Sequence, residues 1–330
     1  MLDLDATFAV VDSHTAGHPT RVILSGIPAL PGNSVRERRD HFRAHHDHLR
    51  PLILHEPRGH AATVGLIPVP SAEADYGAFF ISSYIYLDMC GHATIGYAKT
   101  LAASGQISAE SGVDRFTLET PAGVVSVGLS WSNTGDLTAV RLRNVPSRVA
   151  VEGLSVTVAP IGTVTIDIAY GGMWYALVDA QKLGLALAPD SVSDALRLGS
   201  AIKAAINDAL AGRGGEPDKV DSIVFYQDTG PRSAVHLVVL ESNKFDRSPC
   251  GTGTSARLAQ LHRQGRLAAG ETYRAFNIFG VPFEGRIVDD PSTAENGAVI
   301  PEIEGNAHIM AYSTIVRERT DPLRQGFLCR

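Results

Sequence analysis

Two cysteines stand in matched settings: Cys90-Gly91 and Cys250-Gly251 each open a run whose pattern predicts a helix. The thiolate is the reactive form of cysteine, and a helix N-terminus favours it through unpaired N–H groups and the helix dipole. The same N–H groups cradle an anion. Gly91 and Gly251 let backbone donors approach a ligand closely. Each half of the chain therefore supplies a thiol beside a carboxylate cradle. If the halves face each other, two opposed thiols hold a small carboxylic acid. One thiolate then removes the proton α to the carboxylate, and the opposite thiol returns a proton to the other face, inverting the centre. Helix-terminus donors meet the charge that develops on the carboxylate. This chemistry requires no cofactor, and no metal is expected. A lone cysteine reads as buried filler; the repeated Cys-Gly context argues otherwise for these two. Cys329 lacks that context and reads as a non-catalytic tail residue.

The elements that must position the thiols are legible around them. The run CGHATIGYAKTLAASGQI from Cys90 aligns without gaps to CGTGTSARLAQLHRQGRL from Cys250, with five of 18 positions identical. Each predicted helix ends at a glycine, Gly105 or Gly265, and a strand-like segment containing Gly-Val follows each (Gly123-Val124, Gly280-Val281). This ordered repeat predicts two homologous α/β halves. Two further helices are expected. Val35–Arg50 is capped by Asn33-Ser34 and stops at Pro51. Val192–Ala211 has Ser191 as cap, Gly212 as stop, and Leu198, Ile202, Ile206 and Leu210 on one face. Short β-branched or aromatic runs bounded by Gly, Pro or Ser predict strands over most of the rest. They are Phe8–Val11, Arg21–Leu24, Val64–Val69, Ala78–Ile81, Phe116–Thr120 and Val124–Leu129 in the first half. The second half has Thr163–Tyr170, Trp174–Val178, Ser222–Tyr226, His236–Leu240 and Phe276–Ile287.

Composition narrows the class of function. The 330 residues carry 29 Lys and Arg against 35 Asp and Glu, a net charge of −6, and 44% are apolar. That balance is globular and lacks the basic footprint of a nucleic-acid or membrane-surface partner. No stretch reaches about 18 consecutive apolar residues, so no transmembrane helix is expected. The segment MLDLDATFAVVDSH has three acidic residues and no basic n-region, which argues against a secretory signal and for a cytoplasmic address. Three cysteines are too few for a disulfide framework. At about 100–200 residues per domain, two domains are expected.

The motifs DMCGHATIG (Asp88–Gly96) and DRSPCGTGTSARLA (Asp246–Ala259) resemble the two signatures of the proline racemase family. That family includes proline racemases, 4-hydroxyproline 2-epimerases and trans-3-hydroxyproline dehydratases. DSHTAG (Asp12–Gly17), EPRGH (Glu56–His60) and DPLRQGF (Asp321–Phe327) resemble it too, so the likeness runs along essentially the whole chain. It implies an α/β (α+β) fold like diaminopimelate epimerase: two pseudo-symmetric halves, each a sheet wrapped around a central helix. Residues 1–133 would form the first half, joined by the C-terminal segment 305–330, and 134–304 the second. The resemblance implies Cys90 and Cys250 as the acid/base pair of a racemase or epimerase acting on proline or hydroxyproline. Backbone groups of Gly91, His92, Gly251 and Thr252 would hold the carboxylate, with Asp246 near the amine. His92 could also orient the thiol. The dehydratases typically carry Thr at the second cysteine, so Cys250 favours inversion over dehydration. Two departures stand out. His18 occupies a position where the family commonly has Glu. Ser222 falls where hydroxyproline epimerases often carry His and proline racemases an apolar residue, which leaves proline, 4-hydroxyproline and 3-hydroxyproline open as substrates. The family leaves room for a homodimer.

Other patterns point elsewhere. Gly251–Ala256 also fits G-x-G-x-x-A, but about ten residues separate it from the preceding strand-like run, too many for a dinucleotide-binding turn. His41 and His45 have chelating spacing, yet Arg36, Arg38, Arg39 and Arg43 surround them and disfavour a cation. Cys90, His92 and Cys250 lack a common zinc spacing. Gly171-Gly172 reads as a turn entering a strand, and Arg58 as an ion-pair partner of Glu56 or another strand-end acid. A carboxylate-binding protein without turnover would need no second cysteine, so the thiol pair is what separates that reading from an enzyme.

Overall fold

The computed structural model describes residues 3–241, 244–288 and 297–329. The chain divides into two compact units, residues 1–142 with 305–330, and residues 143–304.

The first unit runs β1 (Leu4–Thr15), β2 (His18–Ile23), α1 (Val35–His45), α2 (Leu49–Leu54), β3 (Val64–Val69), β4 (Tyr76–Ser82), β5 (Tyr86–Leu87) and α3 (Gly91–Ala103). It continues through β6 (Arg115–Thr120), β7 (Gly123–Trp131) and β8 (Leu137–Arg143). The second unit runs β9 (Arg148–Val158), β10 (Gly162–Tyr170), β11 (Trp174–Asp179), α4 (Val192–Leu210), β12 (Ser222–Gly230), β13 (Ser233–Glu241) and β14 (Lys244–Asp246). It ends with α5 (Gly251–Arg263), β15 (Thr272–Phe276), β16 (Pro282–Val288) and β17 (Ile300–Gly305). The last strand, β18 (Ala307–Glu318), pairs antiparallel with β1.

The pairing order repeats strand for strand. In the first unit β18, β1 and β2 are antiparallel neighbours, β2 is parallel to β3, β3 antiparallel to β4, and β4 parallel to β6. Strands β6, β7 and β8 complete it as antiparallel neighbours. The second unit has the same senses in the order β9, β10, β11, β12, β13, β15, β16 and β17. Each parallel step needs a crossover. Helices α1 and α2 supply it between β2 and β3, as α4 does between β11 and β12. The cysteine-bearing helix supplies the next one in each unit. The five identities between the two cysteine runs are thus the sequence trace of a whole repeated unit.

Alternation along the strands explains how the sheet of the second unit covers a helix on each face. In the second unit Ile223, Phe225, Leu237 and Val239 join the apolar face of α4. Tyr175, Leu177, Val224 and Val238 face the other way and pack with Cys250 and Ala256. The α4 face is the expected one: Leu198, Ile202, Ile206 and Leu210 are all buried, each contributing roughly 1.5–3 kcal/mol. Ser191 stands at the N-cap, but its side chain makes no capping bond. Both cysteine helices end alike. Gly105 N–H donates to the Ala102 carbonyl and Gln106 N–H to Leu101; Gly265 and Arg266 repeat this onto His262 and Leu261. With Gly105 and Gly265 at φ +72° and +69°, both ends are Schellman motifs.

Two expectations about elements are corrected. The helix expected over Val35–Arg50 breaks at His46, and α2 runs through Pro51. Ser34 does cap α1, accepting from Glu37 N–H. Proline is tolerated within the first turn of α2 because no intrahelical acceptor exists there for the missing N–H. The run Phe276–Ile287 is not one strand: β15 ends at Phe276 and β16 begins at Pro282. Asn277 closes the turn by accepting from Phe279 N–H and Val281 N–H. Strands β5, β8, β9, β14, β17 and β18 are outside the expected runs; β5 and β14 are only two and three residues long, and β9 and β18 have few buried positions, so their apolar signal is weak.

Candidate active site

In the first unit Cys90 caps α3 with extended backbone, φ −147°. Its carbonyl accepts from Thr94 N–H and the Thr94 hydroxyl. Its side chain makes no capping bond; the sulfur instead lies 3.3 Å from His92 Nδ1. The backbone of His92 is fixed from the sheet, where the Thr15 hydroxyl donates to its carbonyl at 2.8 Å. The His18 ring, from the start of β2, meets the His92 ring edge-on with centroids 4.4 Å apart. His18 is buried, so it is part of this site's frame. Gly91 opens the helix, and a Cβ there would meet just Leu142 Cδ1, at 3.7 Å.

In the second unit Cys250 caps α5 with φ +66°, a left-handed conformation that costs a non-glycine residue of order 1–3 kcal/mol. The strained backbone is held from the preceding loop. Asp246 Oδ1 accepts from both the N–H and the hydroxyl of Ser248, 2.8 Å each. Cys250 N–H then donates to Ser248 Oγ at 3.1 Å. The strain aims the sulfur into its own helix start, where Gly253 N–H donates to it at 3.4 Å. The Tyr175 hydroxyl lies 3.5 Å from the sulfur and the Thr252 hydroxyl 3.6 Å; these two hydroxyls are 2.6 Å apart.

The glycines flanking this helix start differ in kind. A Cβ on Gly171 would lie 2.6 Å from Ala256 N and closer still to the Thr252 carbonyl oxygen, so glycine is needed for the turn to touch the helix backbone. Asn144 Nδ2 ties the two together, donating to the Gly171 carbonyl and to Ser255 Oγ at 2.8 Å each. The Gly171-Gly172 turn is therefore packing that seats β11 on α5. A Cβ on Gly251 would meet no described atom within 4 Å. The fold gives no steric reason for that glycine.

Burial decides the charge state of the second thiol. Cys250 is 5% exposed. Desolvation first, then the Asp246 carboxylate, push its pKa up to about 12 against the opposing Tyr175, Thr252 and Gly253 donors. This corrects the expectation that a helix start lowers the thiol pKa: one N–H at 3.4 Å does not offset full desolvation. Tyr175 is pushed well above its ordinary value, chiefly by burial and then by the neighbouring sulfur.

Of the remaining expected residues, Ser222 is buried at the start of β12 and pairs in register with Tyr175, which puts it on the α5-facing side of the sheet. Asp246 is buried and acts on Cys250 through Ser248 as well as by its charge. Gly251 and Thr252 form the first turn of α5, so the G-x-G-x-x-A string lies inside a helix rather than in a strand-to-helix turn. Arg58 pairs with Asp321, at 3.4 Å, rather than Glu56, and also bonds the Leu52, Leu323 and Arg324 carbonyls. The His41 and His45 rings lie 4.4 Å apart. Among the described residues, no group of three or more His, Cys, Asp or Glu is placed to hold a metal ion. Cys329 is exposed. Sequence reasoning missed Ser248, which lies inside the second motif, and Tyr175. The signal of Tyr175, an aromatic after Gly-Gly at a strand start, is indistinguishable from ordinary core filling.

Residues 10–328 match the family model described as proline racemase. The chain belongs to the proline racemase family. Among curated relatives of this family member, the 4-hydroxyproline 2-epimerase of Streptosporangium roseum is 39% identical over 327 residues, 97% of this chain and 98% of that one. The proline racemase of Clostridioides difficile is 35% identical, covering 97% of each chain. The trans-3-hydroxy-L-proline dehydratase of Burkholderia cenocepacia is 34% identical over the full length of both. Among solved structures, a hydroxyproline epimerase from Agrobacterium vitis with bound trans-4-OH-L-proline superposes with TM-score 0.87 at 27% identity, covering 100% of this chain and 96% of that one. A predicted epimerase from Pseudomonas aeruginosa shares the fold alone, with TM-score 0.56 at 14% identity over 95% and 99% of the two chains. The fold is of the diaminopimelate epimerase-like kind expected. No helix among the described residues is long and apolar enough to cross a membrane.

Proposed function

We propose that this chain is a cofactor-independent two-base isomerase that inverts the α-carbon of proline or a hydroxyproline. One of Cys90 and Cys250 takes the α-proton as thiolate, and the other, as thiol, delivers a proton to the opposite face. The observation that carries this reading is the repeat of one arrangement, a cysteine at the N-cap of the crossover helix in each of two topologically identical units. A protein that merely bound a carboxylate would need the helix starts but not two thiols. The amides of Gly91, His92, Gly251 and Thr252 receive the substrate carboxylate, where the helix dipole stabilises the charge that develops on it. Asp246 meets the amine. Ser222 lines the ring side, and its small hydroxyl bears on the choice among proline and its hydroxylated forms. The burial that holds Cys250 protonated supports its acting as the acid toward the antipode whose α-proton Cys90 removes. Cys250, where the dehydratases typically carry Thr, supports inversion over the dehydration named for the B. cenocepacia relative. We place the enzyme in the cytoplasm and leave room for a homodimer. The test is a panel of both antipodes of proline, 4-hydroxyproline and 3-hydroxyproline followed by polarimetry. Inversion of one pair supports the reading; tight binding without change in rotation supports the binding protein.

A further inference from the structure

The two cysteines are supported by equivalent elements with different chemistry. In each unit the residue two past the cysteine contacts the sulfur: His92 for Cys90, Thr252 for Cys250. Each of these is in turn met from the equivalent strand, by His18 of β2 and by Tyr175 of β11. An imidazole can take up a proton near neutral pH; a hydroxyl pair cannot, and can act solely by directing its hydrogen bonds.

We propose that Tyr175 is a positioning residue for Cys250, whose hydroxyl bonds to Thr252 while the sulfur holds its proton and turns onto the sulfur when that proton leaves. The inference rests on the reading of Cys250 as an acid/base group. The geometry allows the turn without movement of heavy atoms. A phenol has a single proton to donate, and Thr252 Oγ1 at 2.6 Å and Cys250 Sγ at 3.5 Å are both within reach of it. The ring cannot follow, because Tyr175 is 1% exposed and packed among Leu177, Val224 and Val238. Met173 Sδ, 3.8 Å from the hydroxyl, is a weak third acceptor. The charged group that bears on both side chains is Asp246, which opposes the thiolate. Against that carboxylate and the desolvated surroundings, the Gly253 N–H and the two hydroxyls are what favour the anionic sulfur.

The step balances without further reagents. As the Cys250 S–H bond breaks and the α-carbon–H bond forms, the bonding pair stays on sulfur. Tyr175 keeps its O–H bond and redirects it. In the reverse direction the sulfur pair takes the α-proton and the phenol returns to Thr252. Burial keeps the phenol protonated throughout, so it is always a donor.

The test reads the thiol rather than turnover. In the Cys90→Ser, Cys329→Ser chain, Cys250 is the remaining thiol, and its rate of alkylation by iodoacetamide at one fixed, mildly alkaline pH is followed by mass spectrometry. Tyr175→Phe keeps the ring and should slow that rate about 10–100-fold, the fall in thiolate population when one hydrogen bond to a charged acceptor is lost. In the Cys250→Ser, Cys329→Ser chain the same substitution should leave the Cys90 rate unchanged. With all cysteines present it should lower kcat about tenfold and change KM less than twofold. Should the Phe variant not fold, 3-fluorotyrosine at position 175, a more acidic donor, should speed Cys250 alkylation. A Cys250 rate unmoved by either change overturns the inference even if racemisation stands. Absence of α-hydrogen exchange in the unaltered enzyme overturns the two-base reading and leaves this alkylation still decisive for Tyr175.

Discussion

Two glycines beside one helix turn separate packing from ligand binding. A methyl group at Gly251 meets no described atom within 4 Å, and φ there is not in the left-handed region. Gly251→Ala should therefore fold, and relief of glycine's entropy cost should hold or raise stability by up to about 0.5–1 kcal/mol. On the proposed reading, the same methyl hinders a carboxylate from reaching the first-turn amides. Loss of one hydrogen bond to a charged group, about 1.5–3 kcal/mol, lowers kcat/KM roughly 10–150-fold. Gly171→Ala is the contrasting perturbation. Its Cβ would press into Thr252 and Ala256 backbone, and overpacking costs about 1–3 kcal/mol or more. At about 2–4 °C per kcal/mol, its melting temperature should drop by several degrees, with activity falling in step. The assays are thermal unfolding by circular dichroism and kcat/KM by polarimetry. Wild-type kcat/KM in Gly251→Ala would refute the cradle, and a fall in melting temperature as large as that of Gly171→Ala would refute the distinction between the two glycines.

Three further outcomes follow from the same structure. Cys250→Thr should reduce inversion by about 10²–10⁴-fold, measured by polarimetry; retained racemisation would remove Cys250 from the acid/base pair. At high pH, the Cys250 thiol ionises near 9.0 unfolded and at about 12 in the fold. Its contribution is full below pH 9 and is lost as pH rises toward 12. Cys250→Ser should therefore flatten the alkaline limb of denaturant stability over that window, and an unchanged limb would contradict the pKa. At low pH, burial first and then Arg257 lower the His236 pKa from 6.5 to about 3. Stability present above pH 6.5 should fall by roughly 3–5 kcal/mol as pH drops to 3. His236→Gln should be less stable at neutral pH, losing the 3.0 Å contact with the Tyr273 hydroxyl, but should show a shallower acid limb in urea titrations.

Much of the frame was readable before the structure. The cysteine helices begin and end where Cys-Gly and the distal glycines predict, because N-caps and Schellman ends are local devices. The α4 face was readable because burial at i, i+4 follows from helix period alone. What escaped depends on tertiary contact. Tyr175 matters because Gly171 lets β11 lie against α5, a contact between residues 80 or so apart in sequence that no local pattern encodes. The break at His46 and the passage of α2 through Pro51 turn on where a helix restarts, which propensity does not specify. The direction of the Cys250 pKa was misjudged because the helix start is local, whereas the desolvation that outweighs it comes from the whole sheet face.

The central claim is that both thiols move protons at one carbon. Incubation of the enzyme with a single antipode of its substrate in D₂O, stopped at low conversion, tests this directly by mass spectrometry after chiral separation. The account predicts deuterium at the α-carbon of the inverted product and little in recovered substrate, because different groups act on the two faces. No deuterium in either antipode would contradict it, and deuterium confined to unreacted substrate would point to a single base.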